Sequence, residues 1–325
     1  MPTLKELSRE SGLSQSTLSR ALNYCPGTGE EAARIAGGLK GKYPMNPFAT
    51  STYTVGLILP EGPKFFWSMA WQHLRVALQE TGVNFRPAFI ESLRDTCAEI
   101  ALSILQEMEA GGIRAVIMPY FPACADYIRQ SRMRFFFLCE PSTLVNTFSF
   151  CSDGYRDGWQ LGELLRARMP ERERVVVVLS DNESASLRQR GFEDAIGHER
   201  IYGRVTVPAG RLPLLPSILA REITAHGLTD LDTLCCLNGV THKAALAIHK
   251  LGRLRNVVVI GFETPSADNQ YMQDGTIALL MVQDIAAQSR AAALAASEYV
   301  TDGLMPLRKY TLIQSTPLIN QQAAL

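Results

Sequence analysis

Two periodicities divide this chain. At the N-terminal end, apolar residues recur at helical spacing in short stretches. From Tyr53 onward, short continuous apolar runs alternate with longer amphipathic segments. The stretch Thr3 to Asn23, TLKELSRESGLSQSTLSRALN, predicts two short helices joined by a tight turn. Thr3 caps the first helix and Glu6 completes a capping box. Leu4 and Leu7 give that helix its apolar face, and Gly12 stands where a helix ends in a left-handed turn. Ser14 caps the second helix, whose inward positions are Leu18, Ala21 and Leu22. Its outward positions, Gln15, Ser16, Thr17, Ser19 and Arg20, are polar.

A third helix is expected from Glu30 to Leu39, capped by Thr28 with Glu31 closing the box. Gly37 and Gly38 weaken its last turn, each by about 1 kcal/mol relative to alanine. Gly41 to Tyr53 contains Pro44 and Pro47 and little periodicity, and reads as a linker. Beyond it, TVGLILP, VNFRPAFI, AVIMP, FFFL, VVVVLS, TLCCLN and VVVIGF are predicted strands. Helices are expected over Phe66 to Thr81, stopped by Gly82, and over Thr96 to Ala110, stopped by Gly111 and Gly112. Short apolar runs separated by helices argue for parallel sheets covered on both faces. Roughly 270 residues are long for one such sheet, so two similar α/β lobes are expected.

Composition narrows the class. The chain has 325 residues, 46% hydrophobic and 20% charged, which fits a globular protein. No apolar run reaches the roughly 18 residues needed to span a bilayer. The N-terminus carries no signal-peptide apolar core, so a cytoplasmic location is expected. The seven cysteines form no CxxC pair and read as reduced, buried thiols. The 32 Lys/Arg balance 32 Asp/Glu over the whole chain. Residues 1–46 hold six Lys/Arg against four Glu, a weakly basic segment. Phosphate contacts supply much of DNA affinity, so a segment of this charge would need dimerisation to bind.

The paired N-terminal helices have the sequence demands of a helix-turn-helix, whose second helix enters the DNA major groove. Gln15, Ser16 and Arg20 are the candidates for base edges, and Thr3, Thr17, Ser19 and Asn23 for phosphates. The segment resembles the DNA-binding head of the LacI/GalR family of bacterial regulators. Thr3, Ser11-Gly12-Leu13-Ser14, Thr17-Leu18-Ser19-Arg20 and Asn23 meet that family's pattern without a gap. The resemblance implies an all-α helix-turn-helix head over residues 1–45, a linker over 46–53 and an effector-binding and dimerisation core over 54–325. That core would be an α/β two-lobed, periplasmic-binding-protein-like module with two parallel sheets flanked by helices. The crossings between lobes would fall near Ser152-Asp153, Gln283 and Leu307. Lobe 1 would comprise about 54–152 and 283–307, and lobe 2 about 153–282 and 308–325.

Open α/β sheets bind ligands outside the carboxyl ends of their strands. Those ends read Leu59-Pro60-Glu61, Leu138-Cys139-Glu140, Leu237-Asn238-Gly239 and Gly261-Phe262-Glu263. Carboxylates, an amide and the aromatics Phe65, Phe66 and Trp67 suit a sugar, whose faces pack on rings and whose hydroxyls need donors and acceptors. By resemblance, the effector-binding set is Glu61, Phe65, Phe66, Glu140, Arg188, Asn238, Glu263 and Gln283. Arg188 stands in an Arg-x-x-Gly-Phe motif with Gly191 and Phe192. Gly239, Glu263 and Pro63-Lys64 depart from the family pattern, which leaves an acidic or phosphorylated sugar open as the ligand. The family's minor-groove hinge helix is poorly matched by Asn46-Pro47-Phe48-Ala49-Thr50-Ser51-Thr52: either Phe48 wedges the DNA or no such kink is made. The end of the chain, NQQAAL, has no leucine heptad and predicts no coiled coil.

No nucleophile elbow, HExxH, Walker loop or strand-following GxGxxG occurs. Gly154, Gly158 and Gly162 recur at helical spacing and read as close helix packing. His73, His198, His226, His242 and His249 are dispersed, so no metal site and no cofactor are expected. The expectation is therefore a non-enzymatic, homodimeric regulator, acting as a repressor on a palindromic double-stranded DNA operator. A small sugar or sugar derivative held between two lobes would control it. The alternative is a sugar-binding or carbohydrate-modifying protein without sequence-specific DNA binding.

Overall fold

The computed structural model describes residues 4–22, 29, 31–32, 34–35, 53–61, 66–91, 97–180, 183–207, 211, 214–227, 230–251, 256–262 and 270–320. Helices α1 (Leu4–Ser11) and α2 (Gln15–Leu22) are joined by a turn in which Gly12 has φ +71°, the left-handed conformation that glycine adopts without strain. The Ser14 hydroxyl accepts from Thr17 N at 3.1 Å and so caps α2. Residues 31, 32, 34 and 35, within the expected third helix, are helical. Leu7, Leu18, Ala21 and Ala32 are buried together, with Leu13 and Ile35 packed against them. Thr28, Gly37, Gly38 and the linker to Thr52 lie outside the described residues.

The chain divides into two compact units. The first comprises Met1–Phe150 and Gln288–Thr311, the second Cys151–Ala287 and Leu312–Leu325. In the first unit the elements are β1 (Thr54–Glu61), α3 (Phe66–Glu80), β2 (Asn84–Glu91), α4 (Cys97–Ala110), β3 (Ala115–Met118), α5 (Ala125–Gln130), β4 (Arg134–Leu138) and β5 (Thr147–Cys151). In the second they are α6 (Gly154–Arg168), β6 (Val175–Ser180), α7 (Glu183–Ile196), β7 (Ile201–Val207), α8 (Leu215–Ala225), β8 (Thr233–Cys236), α9 (Thr241–Leu251), β9 (Val258–Phe262) and β10 (Ile277–Val282). α10 (Ile285–Asp302) and β11 (Tyr310–Leu312) return to the first unit, and β12 (Thr316–Ile319) to the second.

The first sheet has the order β11-β5-β4-β3-β1-β2, with β1 to β5 paired in parallel. Alternate side chains of each strand serve opposite faces, as the pleat requires. Leu57, Leu59 and Phe136 pack with α3 and with Ala292, Ala293, Ala296 and Val300 of α10. Ile58, Phe135 and Phe137 face the other way, onto Ala101, Leu105 and Met108 of α4. Pro87 lies in β2, opposite Leu57, and is tolerated because β2 is an edge strand whose ladder needs one donor fewer.

The second sheet has the order β12-β10-β9-β8-β6-β7, with only β12 antiparallel. Val176 and Val178 pack with α8 and α9, while Val175 and Val177 pack with α6 and α7. The α6–α7 contact is backbone to backbone. A Cβ on Gly158 would fall 2.0 Å from the carbonyl oxygen of Arg188, and one on Gly191 would fall 2.0 Å from that of Tyr155. A Cβ on Gly162 would lie 2.6 Å from Ala195 Cβ. Among the described residues, no helix is long and apolar enough to cross a membrane.

Candidate functional site

In each sheet the first strand lies inside the order, as β3-β1-β2 and β8-β6-β7. Strand order reverses there, and the carboxyl ends beside such a point are where α/β sheets bind ligands. The two units supply these ends separately.

In the second unit, β8 runs on into Leu237 and Asn238 before α9 starts. Leu237 N donates to Val178 O at 2.9 Å, so the chain is still held to the sheet at this point. Asn238 is 6% exposed, and its Oδ1 is buried with no hydrogen-bond partner. An unmet buried acceptor costs about 1–3 kcal/mol, so an orphan at a strand end suits a ligand hydroxyl. Arg188, on α7, is equally buried. Its Nη1 donates to Leu237 O at 3.3 Å, and its Cζ lies 4.2 Å from the centre of the Phe262 ring. The guanidinium thus spans the ends of β8 and β9, steadied by a cation–π contact. Gly261 is required beside it, because a Cβ there would fall 2.5 Å from both Cys236 O and Thr241 Oγ1. Gln283 follows β10, half-buried, and its Oε1 is also buried without a partner.

The sequence reading passed over a second buried charge in this unit, a carboxylate on α6. Asp157 is 2% exposed and accepts from Ser315 Oγ at 2.7 Å. Burial pushes its carboxyl above the ordinary range, against the hydrogen bonds of Ser152 and Ser315 and the charge of Arg188, which pull it down. The signal was available: Asp157 falls on the same inward stripe of α6 as Gly154, Gly158, Leu161 and Gly162. A charge on an apolar stripe asks for a buried partner.

In the first unit, Glu61 ends β1 and is exposed, and Glu140 follows β4 and is half-buried. One strand separates β1 from β4, which sets their ends about 10 Å apart. Cys139, before Glu140, has φ +68°, uncommon for a residue with a side chain and a mark of a constrained strand end. Phe66 is half-buried and meets Trp67 edge-on at 5.1 Å between centroids. Trp67 packs on the core, so this aromatic pair is partly structural. Also buried without hydrogen-bond partners are the Gln288 amide and the Ser289 hydroxyl in the first turns of α10, which the sequence reading did not single out. Phe65 and Glu263 lie outside the described residues.

On the N-terminal helices, Gln15 is exposed, and Thr17 is half-buried with its hydroxyl 2.8 Å from Ser14 Oγ. Ser16, Ser19 and Arg20 fall within α2, but their side chains, like Thr3 and Asn23, lie outside what is described. Among the described residues, no group of three or more His, Cys, Asp or Glu is arranged to hold a metal ion. Cys124, Cys151, Cys235 and Cys236 are buried, and burial raises the Cys235 pKa well above its ordinary value. The strand ends of the second unit offer a guanidinium and an amide, and those of the first unit offer carboxylates that accept, groups of the kind that bind hydroxyls.

Residues 143–303 match the family model of the periplasmic binding protein domain. Among solved structures, the chain is similar to GanP, a glucose-galactose binding protein from Geobacillus stearothermophilus. The two share 19% identity and a TM-score of 0.70, over 85% of this chain and 100% of that one. It is also similar to the Caulobacter myo-inositol binding protein bound to myo-inositol, at 19% identity and TM-score 0.68, over 84% of this chain and 95% of that one. A candidate LacI transcriptional regulator from Bacteroides fragilis aligns at 12% identity and TM-score 0.68, over 84% of this chain and 98% of that one. No curated protein matches the sequence. The core therefore has the two-lobed periplasmic-binding-protein-like α/β fold, with two mostly parallel sheets flanked by helices.

Proposed function

We propose that this protein is a sequence-specific DNA-binding transcriptional regulator, a repressor acting in the cytoplasm as a homodimer. Its affinity for a palindromic operator is controlled by a small carbohydrate or carbohydrate derivative. The observation that carries this reading is the pair α1 and α2. Their three-residue turn, their shared core of Leu7, Leu18 and Ala21, and the exposed Gln15 opening α2 are what a helix-turn-helix needs. Together with the LacI/GalR resemblance over Thr3 to Asn23, they support a head in which Gln15, Ser16 and Arg20 read bases and Thr3, Thr17, Ser19 and Asn23 hold phosphates.

The effector side is supported by Arg188 and Asn238, buried together at the ends of β8 and β9, and by likeness to sugar-binding proteins. Glu61, Phe65, Phe66, Glu140, Glu263 and Gln283 complete the proposed set. A guanidinium fork binds adjacent oxygens, and carboxylates accept from hydroxyls. No enzymatic step, cofactor or metal is proposed.

A second reading is a carbohydrate-binding protein with no sequence-specific DNA binding. It is favoured by the solved neighbours, which include GanP and a carbohydrate-transporter binding protein from Agrobacterium radiobacter in complex with D-arabinose. Gel-shift selection from random-sequence duplex DNA at moderate salt separates the two. The first reading expects enrichment of a two-fold symmetric sequence; no enrichment over background leaves the second. A thermal-shift screen of sugars, sugar phosphates and sugar acids tests the effector, since a ligand at 100 times its Kd adds about 2.7 kcal/mol.

A further inference from the structure

We propose that the Gln288 amide and the Ser289 hydroxyl form a ligand subsite of the first unit, one that takes the hydroxyls of a neutral carbohydrate and not the charge of a sugar acid or sugar phosphate. The buried face of α10 carries Ala292, Ala293, Ala296 and Val300, which pack on Leu57, Leu59, Phe136 and Leu138 of the sheet. Gln288, Ser289 and Ser297 lie on the same face, at helical spacing from them, and are buried with them. These polar members differ in one respect. Ser297 Oγ lies 2.9 Å from the Thr81 hydroxyl. Ser289 Oγ and both polar atoms of the Gln288 amide have no hydrogen-bond partner, in side chains 0% exposed. An unmet buried polar group lowers stability, so a cluster of them in an alanine face asks for a use.

The direction of α10 places them. Val300 O accepts from Arg114 Nη2 at 2.8 Å, and Arg114 stands immediately before β3. Thr81, the partner of Ser297, precedes β2. The last turns of α10 therefore lie at the amino ends of the strands, and its first turns lie toward their carboxyl ends. From Val300 back to Gln288 the helix climbs about 18 Å, at roughly 1.5 Å per residue. Gln288 and Ser289 are thus on the side of the sheet where Glu61 and Glu140 follow β1 and β4, the side at which α/β sheets bind ligands. An amide presents a donor and an acceptor side by side, and a hydroxyl offers either, which matches neighbouring hydroxyls of a sugar or cyclitol. An ionised carboxylate or phosphate accepts; it would leave Gln288 Oε1 unmet and set a charge among neutral groups. Arg290, the cation nearest in sequence, is exposed and faces Glu80 at 3.9 Å. In the second unit, Asn238 Oδ1 and Gln283 Oε1 are unmet acceptors that ask for donors of the same kind. Gln288 and Ser289 are fully covered here, so a ligand reaches them only as that covering opens. The subsite rests on the carbohydrate reading proposed above; the effect of its unmet groups on stability does not.

The test uses the full chain as wild type, Gln288→Leu, Ser289→Ala and, as control, Ser297→Ala. Urea midpoints without ligand come first. The two serine variants make the same change in one helix, so helix propensity cancels between them. Ser289→Ala deletes an unmet hydroxyl and is expected to raise the midpoint above the wild type; Ser297→Ala deletes a paired one and is expected to fall below Ser289→Ala. Gln288→Leu, an apolar replacement of similar size, is expected to keep or raise the midpoint. Groups retained for binding at a cost in stability give this sign, and groups retained for packing give the opposite one. Thermal shift and calorimetric titration follow, with D-glucose, D-galactose, D-arabinose, myo-inositol, D-glucuronate and a glucose phosphate. The wild type is expected to bind a neutral member most tightly, with a Kd raised about tenfold or more by Gln288→Leu and severalfold by Ser289→Ala. A Ser289→Ala midpoint no higher than that of Ser297→Ala overturns the proposal, as does a charged member that binds most tightly. A neutral sugar held equally by the wild type and both binding variants removes the subsite and leaves the carbohydrate reading standing. A wild type that binds none of the six removes both. Should Gln288→Leu fail to fold, Ser289→Ala carries both readouts.

Discussion

A charged side chain taken out of water has to be answered by its surroundings, and the second unit does this twice with opposite results. At Asp157 the penalty of burial wins and the carboxyl pKa rises. At Glu193, 6% exposed, burial pushes upward but the neighbours outweigh it. Arg204 donates to its two oxygens at 2.9 Å each and Gln189 Nε2 donates at 2.7 Å, and the group is held below the ordinary carboxylate value. The raised pKa of Arg204 is the same bond seen from the other side. A depressed folded pKa means stabilisation that is present above the unfolded carboxylate value and lost as pH falls through the folded one. Glu193→Gln removes the charge and one acceptor. It is expected to destabilise the protein by about 1.5–3 kcal/mol near neutral pH, the range for hydrogen bonds to charged groups. The deficit should shrink toward zero in acid, where the wild-type carboxyl is itself neutral. Urea midpoints measured at neutral pH and again well below the carboxylate range check this, and a deficit constant across that span would assign Glu193 no electrostatic role.

At the scale of elements, the α6–α7 contact joins the packing of the second unit to its candidate site, because the carbonyl that Gly158 touches belongs to Arg188. Gly158→Ala puts a methyl carbon into a backbone oxygen, which no rotamer change relieves. The expected cost is at or above the upper end of the about 1–3 kcal/mol usual for overpacking, together with weakened binding of whichever sugar the screen identifies. Glu163→Ala, exposed on the same helix, should stay within about 0.5 kcal/mol. Circular dichroism during urea unfolding compares them; equal effects would mean that the helices can part at no cost. The glycine spacing of α6 was legible in the sequence because small residues at helical period have few other uses. The parallel strands were legible because their apolar runs are continuous, as in VVVVLS and FFFL. Asp157 was not legible in the same way: its meaning depends on Ser315, 158 residues away, which only the fold brings near. Strands β7 and β12 were equally silent. Both are edges that alternate exposed positions with half-buried or buried ones, and edge pairing is set by topology more than by local pattern.

For the whole molecule, the balance of 32 cationic against 32 anionic side chains gives no general attraction to nucleic acid. On the proposed function, binding to DNA would therefore come from local contacts of α2 and from the pairing of two heads on one operator, and weak local contacts are easily modulated. A ligand controls such binding only through different affinity for the DNA-competent and incompetent states, and the coupling is reciprocal. If the core senses a carbohydrate on behalf of the head, saturating ligand should change the operator Kd by about 5–150-fold, which is 1–3 kcal/mol. Saturating operator should change the Kd for the sugar by the same factor. Fluorescence anisotropy of a labelled operator, with and without the sugar found in the thermal-shift screen, gives the first factor. Calorimetric titration of the sugar, with and without operator, gives the second. If Arg188 holds the ligand as proposed, Arg188→Ala should leave the operator Kd of the free protein unchanged and bring both factors to one, because it alters the core and nothing on α2. An operator Kd indifferent to saturating sugar in the wild type would separate the two halves of the chain and leave a carbohydrate binder whose N-terminal helices serve another end.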